Sequence, residues 1–155
     1  MTPNYTRTLV LAGALLAAVT AAQATWSTDE GPEAAAVRTT IEGAYFNGAF
    51  NAQDTTAMAR GFHEDFAIFS PKGEELSRYE IETWIEGIKT RRAKSDFDPA
   101  STAIDCSIVL LDVTGGAAGA KVEMRRDGKL VYTDYLSLLK FDSGWKIVAK
   151  VYHRH

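Results

Sequence analysis

Residues 131–155, VYTDYLSLLKFDSGWKIVAKVYHRH, close the chain, and their reading decides the fold. Two runs rich in β-branched and aromatic residues, Leu130–Phe141 and Trp145–His153, flank Asp142-Ser143-Gly144. That tripeptide suits a three-residue hairpin loop with glycine in the left-handed position. Upstream, Asp127-Gly128 is a two-residue hairpin signal joining Ala117–Arg126 to the first run, and Thr102–Val113 supplies one more strand. Turn length fixes register, and register fixes which side chains share a face. With Arg126 opposite Lys129, Val122 faces Thr133 and Lys121 faces Asp134. With Phe141 opposite Trp145, Leu139 faces Ile147, Ser137 faces Ala149, Tyr135 faces Val151 and Thr133 faces His153.

One face then collects Ala120, Val122, Met124, Tyr135, Leu139, Phe141, Trp145, Ile147 and Val151. The other collects Lys121, Glu123, Arg125, Asp134, Lys140, Lys146, Lys150 and Arg154, with Leu136, Leu138, Val148 and Tyr152 as an apolar streak. The expectation is that the apolar face packs under helices and the charged face is turned outward. An apolar streak on an outer face is the seat of a symmetric homodimer. In this register Asp134 is a cross-strand ion-pair partner of Lys121. The register of Thr102–Val113 stays open, because TGGAAG at 114–119 admits more than one turn.

Helical periodicity precedes the strands. Pro32 suits a first helical position, and Ala34, Val37, Ile41, Tyr45 and Ala49 recur at helical spacing between Glu33 and about Ala52. Asp54 can cap a short helix that Gly61 ends. A short strand is expected around Phe66–Ser70, with Pro71-Lys72-Gly73 as its turn. Ser77 and Glu80 have capping-box spacing ahead of a third helix buried through Ile81, Trp84, Ile85 and Ile88.

The N-terminus reads differently. Residues 1–24 carry Arg7, an apolar run from Leu9 to Ala22 and an Ala22-Gln23-Ala24 cleavage site, the layout of a secretory signal peptide. The run falls short of the roughly 20 apolar residues a membrane anchor needs. The expected organisation is a signal peptide over 1–24, a leader over 25–32 and one domain over 33–155, exported to the periplasm or the cell exterior. The 155-residue chain has a net charge of −3, and losing Arg7 makes it one unit more acidic. That balance gives no electrostatic footprint for nucleic acid or anionic membrane. A single cysteine, Cys106, excludes an internal disulfide and reads as a buried thiol.

The order helix, short helix, FHEDFAIFSP, helix and curved sheet resembles the nuclear transport factor 2-like fold. The closing YTDYLSLLKFDSGWKIVAKVYH is similar to the signature of its putative lumazine-binding branch, and the resemblance covers about Glu33 to His153. It implies an α+β domain in which a cone-shaped, curved antiparallel sheet is wrapped by three N-terminal helices around a pocket, commonly as a dimer. Ketosteroid isomerase, a superfamily relative, needs a helix tyrosine, an aspartate base and a strand acid. Approximate motif matching puts Phe46, Ser70 and Ser137 at those positions, which argues against steroid-isomerase chemistry.

His153, expected on the inner face near Tyr135 and Ser137, is the candidate general base. Tyr45, Phe46, Phe50, Phe62, Trp84, Met124, Tyr135 and Ser137 are the candidate pocket lining, fit to stack a flat ligand. His63, in FHEDF, has no second histidine at zinc-site spacing and reads as a helix-to-strand corner, so no metal site is expected. No glycine-rich phosphate loop is present, and no cofactor is implied. Together these residues favour a small-molecule-binding domain over an acid/base enzyme or a pure interaction module.

Overall fold

A computed structural model describes residues 31–155. The expected signal peptide and the leader up to residue 30 lie outside the described residues. Helix α1 (Pro32–Thr40) has proline in its first turn and runs directly into a π-helical segment, Ile41–Asn51. Its wider winding ends where Asn47 O accepts both Ala52 N–H (2.8 Å) and Gln53 N–H (3.1 Å). Helix α2 (Thr55–Gly61) starts on Asp54 as expected, with Oδ1 accepting the Thr56 and Ala57 amides.

Then come β1 (Phe62–Lys72), β2 (Glu75–Glu80), α3 (Ile81–Arg92), a 3₁₀ turn (Pro99–Thr102), β3 (Asp105–Thr114), β4 (Ala117–Arg126), β5 (Lys129–Phe141) and β6 (Gly144–Arg154). The sheet order is β2-β1-β6-β5-β4-β3. It is a curved, unclosed sheet with three helices, as the resemblance implied. It is mixed, however: β1 runs parallel to β6 while every other neighbouring pair is antiparallel. Ser77 and Glu80 lie in β2, so the expected capping box does not form; Glu80 precedes α3 without a side-chain cap. No described helix is long and apolar enough to cross a membrane.

The largest correction concerns the faces of β5. Asp127 and Gly128 both take positive φ (51° and 74°), the geometry a two-residue hairpin needs, and Arg126 does pair with Lys129. Arg125 then pairs with Leu130, but Met124 pairs with Tyr132, leaving Val131 as an extra residue. At the other end Phe141 pairs with Gly144, so the loop is one residue shorter than expected. The strands regain the expected Ser137–Ala149 pairing only by leaving Val148 unpaired. Each extra residue exchanges inside for outside over the following stretch.

Asp134, Leu136, Leu138 and Lys150 therefore point into the core with Val122, Met124, Trp145 and Ile147, while Tyr135, Leu139, Phe141 and Val151 face outward. Leu136 and Leu138 cannot form an outer dimer streak, Val148 is half-buried, and Asp134 does not pair with Lys121.

The core joins Val37, Ile41, Tyr45, Met58, Phe62, Phe66, Ile81 and Ile88 to that inner sheet face. Glu33 ties the start of α1 to the β5–β6 hairpin, accepting from Trp145 Nε1 at 2.9 Å and Lys140 Nζ at 2.5 Å. Helix α2 packs on the π-helical segment so closely that a Cβ on Gly61 would lie 2.2 Å from Ala44 Cβ. Gly43, on the same segment, has open space around it. Gly61→Ala is expected to cost about 1–3 kcal/mol through overpacking, and Gly43→Ala to be neutral or to stabilise by roughly 0.5–1 kcal/mol. Urea unfolding of the two variants separates steric contact from backbone entropy.

Candidate functional site

Three polar side chains meet at the centre of the inner face. Tyr45 comes from the π-helical segment, Asp134 from β5 and Lys150 from β6; Asp134 is 0% exposed and Lys150 7%. The Tyr45 hydroxyl donates a short hydrogen bond to Asp134 Oδ2. Lys150 Nζ donates to the Tyr45 hydroxyl oxygen at 2.7 Å and to Asp134 Oδ2 at 3.2 Å. Asp134 Oδ1 is buried without a hydrogen-bond partner among the described residues. The Lys150 ammonium also lies 5.2 Å, 5.8 Å and 5.1 Å from the ring centroids of Tyr45, Trp84 and Tyr152, within cation–π range.

Burial sets the electrostatics here. It lowers the Lys150 pKa from its ordinary value, with Asp134 opposing that shift. It raises the Tyr45 pKa well above 10.0, and the Asp134 charge raises it further. Cys106 on β3 is pushed up to about 12, first by burial and then by Asp134. It is a neutral thiol in a partly buried setting.

Lys150 forms part of the lining of a cavity of about 290 Å³. Phe50, Trp84, Tyr132 and Tyr152 give it aromatic walls; Ile68, Ser70, Tyr79, Arg91 and Met124 complete it. Phe50 and Trp84 meet nearly edge-to-face at 5.9 Å, and each packs in turn on Tyr45. A larger groove of about 540 Å³ runs over α1, α2 and the β5–β6 turn. Two of its charged groups, Glu33 and Lys140, already bond one another, so the smaller cavity, with a buried ammonium in its lining, has the more specific chemistry.

Of the residues expected from sequence, Phe50, Trp84 and Met124 line this cavity. Tyr45 and Phe62 are buried behind it, packed on Trp84, and Phe46 is buried against Tyr45. Tyr135 and Ser137 are exposed on the other side of the sheet. His153 pairs with Thr133 in register but is exposed, with its ring 4.7 Å from that of His155. His155, not His153, meets the Thr133 hydroxyl, at 2.9 Å. His63 is the second residue of β1, stacked on Phe141.

Sequence reasoning missed Lys150, Asp134 and Arg91 as site residues. The available signal was a strand carboxylate and a lysine on adjacent strands, with a helix tyrosine able to reach both. Trp84 and Arg91 are seven residues apart and so share one face of α3.

Removing one partner of a buried ion pair leaves the other charge uncompensated. Asp134→Ala is expected to cost about 3–5 kcal/mol in urea unfolding, whereas Asp134→Leu combined with Lys150→Met should be close to neutral. Tyr45 gives a second expectation. Its raised pKa means that above pH 10.0 the unfolded chain releases a proton the native state retains, so its stability contribution is complete below that pH and falls as pH rises. In an alkaline titration of tyrosinate absorbance, one tyrosine should ionise only with unfolding, and Tyr45→Phe should remove that delayed component.

The family model described as "Putative lumazine-binding" matches residues 32–153. Among solved structures, a nuclear transport factor 2-like protein of unknown function from Shewanella baltica is 27% identical. The match covers 78% of this chain and 92% of that one, with a TM-score of 0.60. One from Methylobacillus flagellatus is also 27% identical, over 78% of this chain and 90% of that one, with a TM-score of 0.58. A third, from Silicibacter pomeroyi, is 24% identical over 78% and 94% with a TM-score of 0.59 and bears on the fold alone. No curated protein matches the chain.

Proposed function

The chain belongs to the putative lumazine-binding family, and from that premise we propose that it binds a small, flat, largely apolar or heterocyclic molecule in the aromatic cavity. The observation that carries this reading is the buried Lys150 ammonium in the lining of a space walled by Phe50, Trp84, Tyr132 and Tyr152. An ammonium has three N–H donors, and only two of those on Lys150 have acceptors among the described residues. The third supplies the polar handle of a slot whose walls suit a ring. The pattern of residues 1–24 supports export, so the ligand is met in the periplasm or outside the cell.

Native mass spectrometry of the exported chain, purified gently, tests the binding reading. A reproducible extra mass that Trp84→Ala abolishes is the expected result, with affinity for the identified molecule falling by roughly tenfold. An extra mass retained in full by Trp84→Ala would put the ligand elsewhere.

The proposal extends to a homodimer through the outer face of the sheet. Tyr135 (50% exposed) pairs with Val151 (49%), and Leu110 and Leu139 are also exposed there. Apolar side chains grouped on one exposed sheet face mark an association surface, and a two-fold pair is its simplest closed form. Sedimentation should give a dimer that Tyr135→Lys with Val151→Lys converts to monomer. A wild-type monomer, or a dimer that survives both substitutions, would count against the arrangement.

A further inference from the structure

The two positive groups in the cavity lining have no acid among the other lining residues. Lys150 projects from the sheet side, and Arg91, in the last turn of α3, comes from the helix side. The acid nearest in the chemistry is Asp134, which lies beneath Lys150 and holds it through Oδ2. Arg91 is exposed, and its guanidinium has no ion-pair or hydrogen-bond partner among the described residues. Lys150 and Asp134 cancel in charge, which leaves the cavity with one unbalanced positive charge carried by Arg91. The polar groups that complete the lining, Ser70, Tyr79, Tyr132 and Tyr152, are neutral hydroxyls.

We infer that the cavity selects flat monoanions: an aromatic or heterocyclic acid whose ring lies between the aromatic walls, whose ring or carbonyl acceptor takes the free Lys150 N–H, and whose anionic group pairs with Arg91. The inference rests on the binding reading above and adds the charge class of the ligand. Three features make the arrangement selective. A guanidinium presents paired donors that match a carboxylate in plane, so it discriminates an acid from its amide. The Lys150 donor is buried in an aromatic setting, where an unpaired polar group is costly and a ligand without an acceptor is disfavoured. A cation would meet the unbalanced charge of Arg91, which opposes its entry.

The test uses naphthoate as the flat monoanion and naphthamide as its neutral counterpart, titrated into the exported chain by calorimetry. The expected result is at least about tenfold tighter binding of naphthoate. Arg91→Gln should abolish that preference, and Arg91→Lys should retain part of it. Lys89→Gln, on the same helix but engaged with Glu86 and outside the cavity, should leave the preference intact. Equal affinity for the two probes, or a naphthoate preference that survives Arg91→Gln, overturns the charge inference while the binding reading stands. If neither probe binds the wild-type chain, the binding reading fails and the charge inference goes with it.

Discussion

The hydrogen-bonded group Tyr45–Asp134–Lys150 is the constraint on which the rest of this domain depends. Taking an ammonium and a carboxylate out of water costs several kcal/mol per ion, and their attraction repays that only in good geometry with added hydrogen bonds. Here the geometry requires three elements far apart in sequence to converge. Asp134 Oδ2 receives both the tyrosine hydroxyl and the lysine, and the same lysine also donates to the hydroxyl. A one-residue slip of β5 would carry Asp134 to solvent and leave Lys150 buried alone; a slip of β6 would do the reverse. The sheet register is therefore fixed by electrostatics as well as by apolar burial.

The unpaired residues at Val131 and Val148 follow from the same requirement. Without them, the hairpin turns would place Tyr135, Leu139 and Val151 inside and the ion pair outside. The extra residues reverse that choice over the middle of the sheet, while Trp145 and Ile147, which precede the second irregularity, keep their inner positions. The cost is an outer face that shows Tyr135, Leu139, Phe141 and Val151 to solvent. The gain is a cation at the base of an aromatic space. Core and surface of this domain are thus two consequences of one register.

Much of the fold was legible in the chain. Pro32, Asp54 and Gly61 mark helix ends where the helices begin and stop, and Asp127-Gly128 makes the hairpin it signals. Part of the aromatic side of the site was legible too: Phe50 and Trp84, expected as pocket lining from the aromatic cluster on the helices, do line the cavity. The polar side was not. On β5 the alternatives were Thr133, Tyr135, Ser137, Leu139 and Phe141 against Asp134, Leu136, Leu138 and Lys140, and counting charges favours burying the first set. Charge counting fails when a carboxylate has a lysine and a phenol waiting for it on other elements, and strand periodicity carries no trace of such a partner. A one-residue bulge leaves none either, because period-two alternation reads equally well on both sides of it.

The group at the centre is also incompletely satisfied, as the proposed binding role would require. Asp134 Oδ1 has no partner among the described residues, and Lys150, with acceptors for two of its three N–H groups, lines a cavity. An apolar replacement of similar volume would avoid the desolvation cost and the orphaned oxygen, each worth on the order of 1 kcal/mol or more. The domain retains this costly solution directly beneath the lining of the aromatic cavity. A local cost beside an aromatic cavity accords with the proposed binding role, because sites of recognition commonly give up stability.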